Sequence, residues 1–357
     1  MNTPYNYANL DTLVSSVIYG YYTKYDRLIP LINENFVGST ATTLDIFVDV
    51  MDIFRRLDKA SSKNSFLTIT NPLVVTSGII NMIAHYRYFF RTRYKCETRF
   101  WLISSKGNSL ASMYYPGFKV PILSTEMYKL YTQNVEFIAA LCNNIHNAQF
   151  EYTDVDFVTK SIGIRAVEGY VNPAILISKD PFTLQGCATP NTLVLRPKKN
   201  NTGDISTLSN IATAATDYIN AISNNKSDHV NISACQLSLL MALTRVPSRG
   251  LQSVFNIPTA IKYLNNAYIK NATTSYPWDI DSFMNIFVSA NGKLSKDPFE
   301  IISRFKACDT VFLQYAGYEN MPEAKLYKGI VNLYDADGMK RINEQYFKDC
   351  PLDLNAL

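Results

Sequence analysis

Hydrophobic and polar positions follow two rhythms along this chain. Leu44-Asp45-Ile46-Phe47-Val48-Asp49-Val50 is short, β-rich and almost continuously apolar, as a strand covered on both faces is. The segment MDIFRRL follows at once with helical character. From Asn71 to about Arg93, Val74, Ile79, Ile80, Met82, Ile83, Tyr86 and Phe90 recur at helical spacing, with Asn71 as N-cap and Pro72 at the first helical position. Further strands are predicted at 99–104, 149–152, 174–178 and 192–195, and helices at 125–142 and 155–167. A helical lead-in is predicted over 9–36, where Leu10, Leu13, Val14, Val17, Ile18 and Tyr21 stand behind Asn9 and the pattern breaks at Pro30.

Strands that alternate with helices imply right-handed crossovers and a parallel sheet. The expected organisation is a helical lead-in over 1–40, an α/β domain over 41–200 and a mostly helical region over 201–357. The polar run Lys198-Lys199-Asn200-Asn201-Thr202-Gly203-Asp204 marks the boundary. C-terminal helices are predicted near 206–222, 233–244, 257–270, 280–288, 298–306 and 338–347.

Composition narrows the class. With 357 residues, 47% hydrophobic and 18% charged, the chain can bury a substantial core. A net charge of +4 allows a polyanionic partner without demanding one. The six cysteines stand singly, without a C-x-x-C pair or a nearby His, so a zinc site is not expected and the thiols read as reduced. The N-terminal residues lack the pattern of a signal peptide, and no apolar run approaches the roughly 20 residues needed to cross a bilayer. The expected location is the cytoplasm, without membrane association. No Walker loop, G-x-S-x-G, H-E-x-x-H or dinucleotide fingerprint is present.

Open parallel sheets bind ligands beyond the carboxyl ends of their strands, so the residues found there carry the candidate chemistry. Asp49 ends the first strand with Asp52 just beyond, Asp154 and Asp156 follow the third, and Asp180 follows the fourth. Carboxylates that converge repel one another unless a cation or proton intervenes, and oxygen-only ligation suits Mg²⁺ or Mn²⁺. Each acid also has a simpler reading, as a turn residue or helix N-cap.

Taken in order, several segments resemble the PIN and FEN-like family of 5′ nucleases, specifically the exonuclease-like proteins of large tailed phages. They are Phe47-Val48-Asp49-Val50-Met51-Asp52-Ile53-Phe54-Arg55-Arg56, His85-Tyr86-Arg87-Tyr88-Phe89-Phe90, Thr153-Asp154-Val155-Asp156 and Leu176-Ile177-Ser178-Lys179-Asp180. Val246-Pro247-Ser248-Arg249-Gly250-Leu251, together with Asn256 to Leu264, looks like the family's helical clamp for duplex backbone. The resemblance implies a PIN/FEN-like parallel sheet flanked by helices, with a helix-hairpin-type clamp in the C-terminal region. It implies Asp49, Asp156 and Asp180 as catalytic metal ligands, and Asp52 and Asp154 as accessory ligands, for Mg²⁺ or Mn²⁺ at one site. The implied nucleic-acid contacts are Arg55, Arg87, Arg91, Lys179, Arg245, Arg249 and Lys262. The implied activity is 5′-3′ exonuclease or flap endonuclease on DNA or RNA ends or flaps, with viral replication or virion proteins as further partners.

Two departures from the family pattern set the alternatives. Where the family has Asp-Lys-Asp, this chain has Ser178-Lys179-Asp180, and no acid stands between Asp228 and Asp279, where the family places further ligands. A catalytically inactive pseudo-nuclease, serving as a nucleic-acid-binding or assembly module, is the second reading. A purely structural phage protein, whose many Tyr and Phe supply contact surface, is the third.

Overall fold

The computed structural model describes residues 43–62, 72–105, 109–119, 122–197, 199–200, 203–204, 207–223, 227, 229–265 and 298–310. The predicted lead-in at 9–36, the Asn71 cap and the helices expected at 280–288 and 338–347 lie outside them.

The predicted strands form as β1 (Thr43–Asp49), β2 (Glu97–Ser105), β3 (Ala148–Thr153), β4 (Ala174–Ile177) and β5 (Thr192–Arg196). They lie parallel in the order β3-β2-β1-β4-β5. The polar run near 200 does not lead straight into a helix. Lys199–Asn200 (β6) and Gly203–Asp204 (β7) pair as a small ribbon, and Thr207–Ser209 (β8) returns antiparallel to β5 as the sixth strand of the main sheet. The sheet therefore extends past residue 200, and the helix expected from 206 begins later, as Ala214–Ile222.

Val50–Ser61 (α1), Pro72–Tyr94 (α2), Ser109–Tyr114 (α3), Thr125–Cys142 (α4) and Phe157–Val167 (α5) occupy the connections. Beyond the sheet come Ala214–Ile222 (α6), Leu237–Leu243 (α7), Ile257–Leu264 (α8) and Pro298–Cys308 (α9). Strand alternation sorts the side chains into two cores. Leu44, Ile46 and Val48 face α1, α2 and α4, joined by Phe100, Leu102, Ile175 and Ile177. Phe47, Trp101, Ile103, Leu176 and Val194 face the other way, against α5, α6, α7 and α9. The C-terminal helices thus complete a three-layer α/β/α body. Among the described residues, no helix is long and apolar enough to cross a membrane.

The strand order fixes where a ligand would sit. From β1 the chain winds outward through β2 and β3, then returns to pair β4 on the other side of β1. Between β1 and β4 the connections diverge, leaving a crevice at their carboxyl ends, and Asp49 and Ser178-Lys179-Asp180 stand there.

Candidate functional site

Local sequence places each acid before tertiary contacts act on it. Asp49 ends β1 and is the N-cap of α1, its Oδ1 accepting from the Asp52 amide at 3.0 Å. Asp180 caps the 3₁₀ helix Pro181–Ala188, its Oδ1 accepting from the Phe182 amide at 3.0 Å. Asp156 also stands at an N-cap, that of α5, but its carboxylate makes no capping bond. It turns instead to Arg249, which donates through Nη2 at 2.7 Å and through Nε at 3.3 Å.

Arg249 joins the separate acids. Its Nη1 donates to Asp180 Oδ2 at 2.5 Å, so a single guanidinium bridges the ends of β3 and β4. Asp156, Asp180 and Arg249 are all buried. The guanidinium lies over the Phe182 ring, 4.7 Å from its centroid, with Phe118 at 5.9 Å. Ser248 adds a hydroxyl donor to Asp180 Oδ1 at 2.8 Å. Burial lowers the Arg249 pKa, but the charges and hydrogen bonds of Asp156 and Asp180 outweigh it and hold the side chain firmly protonated. Burial likewise raises Asp180, and the Arg249 charge with the Phe182 amide more than reverses this, leaving it below the usual carboxylate range.

Ser178 ties this pair to β1. Its hydroxyl donates to Asp49 Oδ2 at 2.9 Å and accepts from the Asp180 amide at 3.2 Å. Asp52 accepts from the Lys179 amide at 2.8 Å. Asp49 is 3% exposed, and burial first, then the neighbouring Asp52 charge, pushes its pKa up to about 7, against the opposing charge of Arg55.

Around these acids the surface is basic. Lys179 is exposed at the crevice rim, within electrostatic reach of Arg56 and Lys59 from α1 and Arg196 from β5. Its pKa is lowered by partial burial of the ammonium and then by Arg56, Lys59 and Arg196, while Asp52 opposes them. Arg196 donates to the Lys179 carbonyl at 3.3 Å, which ties its side chain to the Lys179 backbone.

Not every predicted residue reaches this edge. Asp154 is exposed in the turn after β3 and takes no part in the Arg249 bridge. Arg87 and Arg91 lie at the opposite, amino edge, because α2 runs back to the start of β2. Arg87 donates to the His146 carbonyl and stacks over Phe100, and Arg91 pairs with Glu97 at 2.7 Å. Arg249, expected as a surface contact to phosphate, is instead an internal counterion, since a backbone with Gly250 at φ +70° turns it inward. Arg55 is half-buried, and its charge acts on both Asp49 and Asp180. Arg245 and Lys262 are exposed near and on the hairpin of α7 and α8, in the segment expected to form the clamp. Arg56 and Lys59 were not singled out by the sequence, because a basic residue in an amphipathic helix carries no local mark of shared location, and Arg196, in sequence beside Lys198 and Lys199, reads there as part of a polar loop.

No family model matches the chain, and no curated protein does. Among solved structures it is similar to the bacteriophage T5 D15 protein co-crystallised with metal ions, at 12% identity and a TM-score of 0.50, over 82% of this chain and 100% of that one. It also matches T5 5′-exonuclease with bound zinc at 11% identity and a TM-score of 0.46, over 85% of this chain and 98% of that one. A third match is the catalytic core of Rad2 with DNA substrate, at 10% identity and a TM-score of 0.39, over 81% of this chain and 92% of that one. The fold is that of the PIN and FEN-like nucleases.

Asp49, Asp52, Asp156 and Asp180 stand together at this edge, so the fit of a divalent ion can be tested here. Mg²⁺ requires near-octahedral oxygen ligands at about 2.0–2.1 Å. Asp156 and Asp180 instead direct oxygens at Arg249, and both Asp49 oxygens accept from protein donors. Among the described residues, no group of three or more His, Cys, Asp or Glu side chains is arranged to hold a metal. In this arrangement the acids do not fit a divalent ion.

Proposed function

We propose that the chain binds nucleic acid by its phosphate backbone at the carboxyl edge of the sheet, on a PIN/FEN-like nuclease fold. The observation that carries this reading is the gathering of Arg56, Lys59, Lys179 and Arg196 from three separate elements beside the β1–β4 crevice. Like charges repel, so a cluster of them at a surface is relieved by an anion. A polyphosphate backbone also gains from the counterions it releases. Arg245 and Lys262 add exposed positive charge on the C-terminal side. The sequence resemblance supplies the form of the ligand, an end or flap of DNA or RNA.

Fluorescence anisotropy with flapped duplex and single-stranded probes, titrated against salt, tests this. The double variant Arg56→Glu/Lys179→Glu should bind at least roughly 10-fold more weakly, with a salt slope reduced by about 2. Equal affinity and slope for variant and native chain, or no binding at low salt, would sink the reading.

A second reading is divalent-metal-dependent 5′-3′ exonuclease or flap endonuclease activity of phage origin. It draws on Asp49, Asp52, Asp156 and Asp180 gathering at one edge, and it requires Arg249 to withdraw from Asp156 and Asp180. Cleavage of the same probes with Mg²⁺ or Mn²⁺, abolished by Asp49→Asn, would establish it. Salt-sensitive binding without turnover under any divalent metal would leave the binding function alone.

A further inference from the structure

We propose that Arg249 is a built-in replacement for a divalent cation, so that the native chain neither needs nor holds one between Asp156 and Asp180. Two buried carboxylates at the ends of β3 and β4 need positive charge between them, because burying uncompensated charge is strongly unfavourable. The chain provides it covalently. Arg249 sends Nη2 and Nε to Asp156 and Nη1 to Asp180, the fork geometry in which guanidinium binds carboxylates best.

The surroundings fix the guanidinium in that place. Phe182 and Phe118 flank it, and the Lys119 amide donates to the Arg249 carbonyl at 2.8 Å. Val246 and Leu251 bridge across the turn, and Gly250 adopts the left-handed conformation that closes it. A side chain held at both its backbone and its head loses little entropy on pairing, as a preorganised ligand does.

The hydroxyls complete the substitution. Ser178 and Ser248 each donate to an aspartate, at 2.9 Å and 2.8 Å, where a metal centre would present another anionic oxygen. Two carboxylates already exceed one guanidinium by a charge, which Arg55 offsets in part, and an additional carboxylate at either position would widen that excess. The donor set is thus matched to an organic cation and mismatched to Mg²⁺ or Mn²⁺.

This inference is independent of nucleic-acid binding, since it concerns only what neutralises Asp156 and Asp180. Removing the guanidinium should open a cation site lined by both aspartates and the two serine hydroxyls. The test combines thermal unfolding with Mn²⁺ electron paramagnetic resonance, in EDTA and across a Mn²⁺ titration. For the native chain, the melting temperature should be the same in EDTA and in Mn²⁺, and the free-ion signal should match that of Asp180→Asn.

Arg249→Ala should melt lower in EDTA and recover on the order of 5 °C when Mn²⁺ stands about 100-fold above its dissociation constant. The recovery should vanish in Arg249→Ala/Asp180→Asn. Native chain stabilised by Mn²⁺, or taking up Mn²⁺ in a manner lost in Asp156→Asn or Asp180→Asn, would overturn the proposal, as would Arg249→Ala that folds and shows no Asp180-dependent gain. Should Arg249→Ala fail to fold with or without Mn²⁺, the native resonance comparison decides alone, because a guanidinium already in place leaves no Asp180-dependent uptake.

Discussion

Replacing Asp49 by asparagine removes a buried charge while keeping the shape of the side chain. Asp49 is 3% exposed, and burial, followed by the Asp52 charge, raises its pKa from 3.8 to about 7. Folding therefore takes up a proton between about pH 4 and pH 7, since the folded chain holds that proton more tightly than the unfolded one. The sign follows directly: native stability falls as pH climbs through this window, and above pH 7 the charged carboxylate carries the full cost. At about 1.4 kcal/mol per pKa unit, the shift corresponds to roughly 4 kcal/mol as an upper bound. Asparagine keeps an oxygen to accept from the Asp52 amide and offers its NH₂ toward Ser178, whose hydroxyl can rotate. Urea unfolding of both chains at pH 5 and pH 8 measures the effect. Relative to native, Asp49→Asn should be stabilised more at pH 8 than at pH 5, by about 2–3 kcal/mol. A stability difference that is the same at both pH values would refute the raised pKa.

Other substitutions probe the supports of the site. Ser178→Ala removes the hydroxyl that serves both Asp49 and the Asp180 amide, and should cost about 1–3 kcal/mol in urea unfolding. Arg304 is 2% exposed and donates to the carbonyls of Ala242, Thr244 and Gln252, so Arg304→Met should cost about 3 kcal/mol, read by the same measurement. Gly186→Ala would place a Cβ 2.7 Å from Leu176 Cδ2 in the filled core, and a loss of about 1–3 kcal/mol by calorimetry is expected. If that variant is as stable as native, Gly186 does not lie as close to Leu176 as this distance requires.

Much of the architecture was already legible in the chain, because its signals are local. Strands β1, β2, β4 and β5 carry apolar runs that only a doubly covered sheet can bury, and α4 announces itself by the period of its apolar face. The same local logic marked Asp49 and Asp180, and the structure confirms both as N-caps, the simpler of the two readings available to them. The short β8 escaped notice because a three-residue strand has too few positions to show a period.

Tertiary structure alone decided what the charged residues do. Arg249 lies 93 residues from Asp156 and 69 from Asp180 in sequence, so nothing local links them. They meet because the crossovers bring β3 and β4 to one edge and the Gly250 turn points the guanidinium into it. Arg87 and Arg91 show the converse: on a bare sequence they resemble Arg55 and Arg56, yet the direction of α2 delivers them to the far side of the sheet. Hydrophobic period sets which elements form, since burial acts on each segment's own face. The pairing of charges depends on where the path of the chain brings distant segments together, and only the folded structure contains that path.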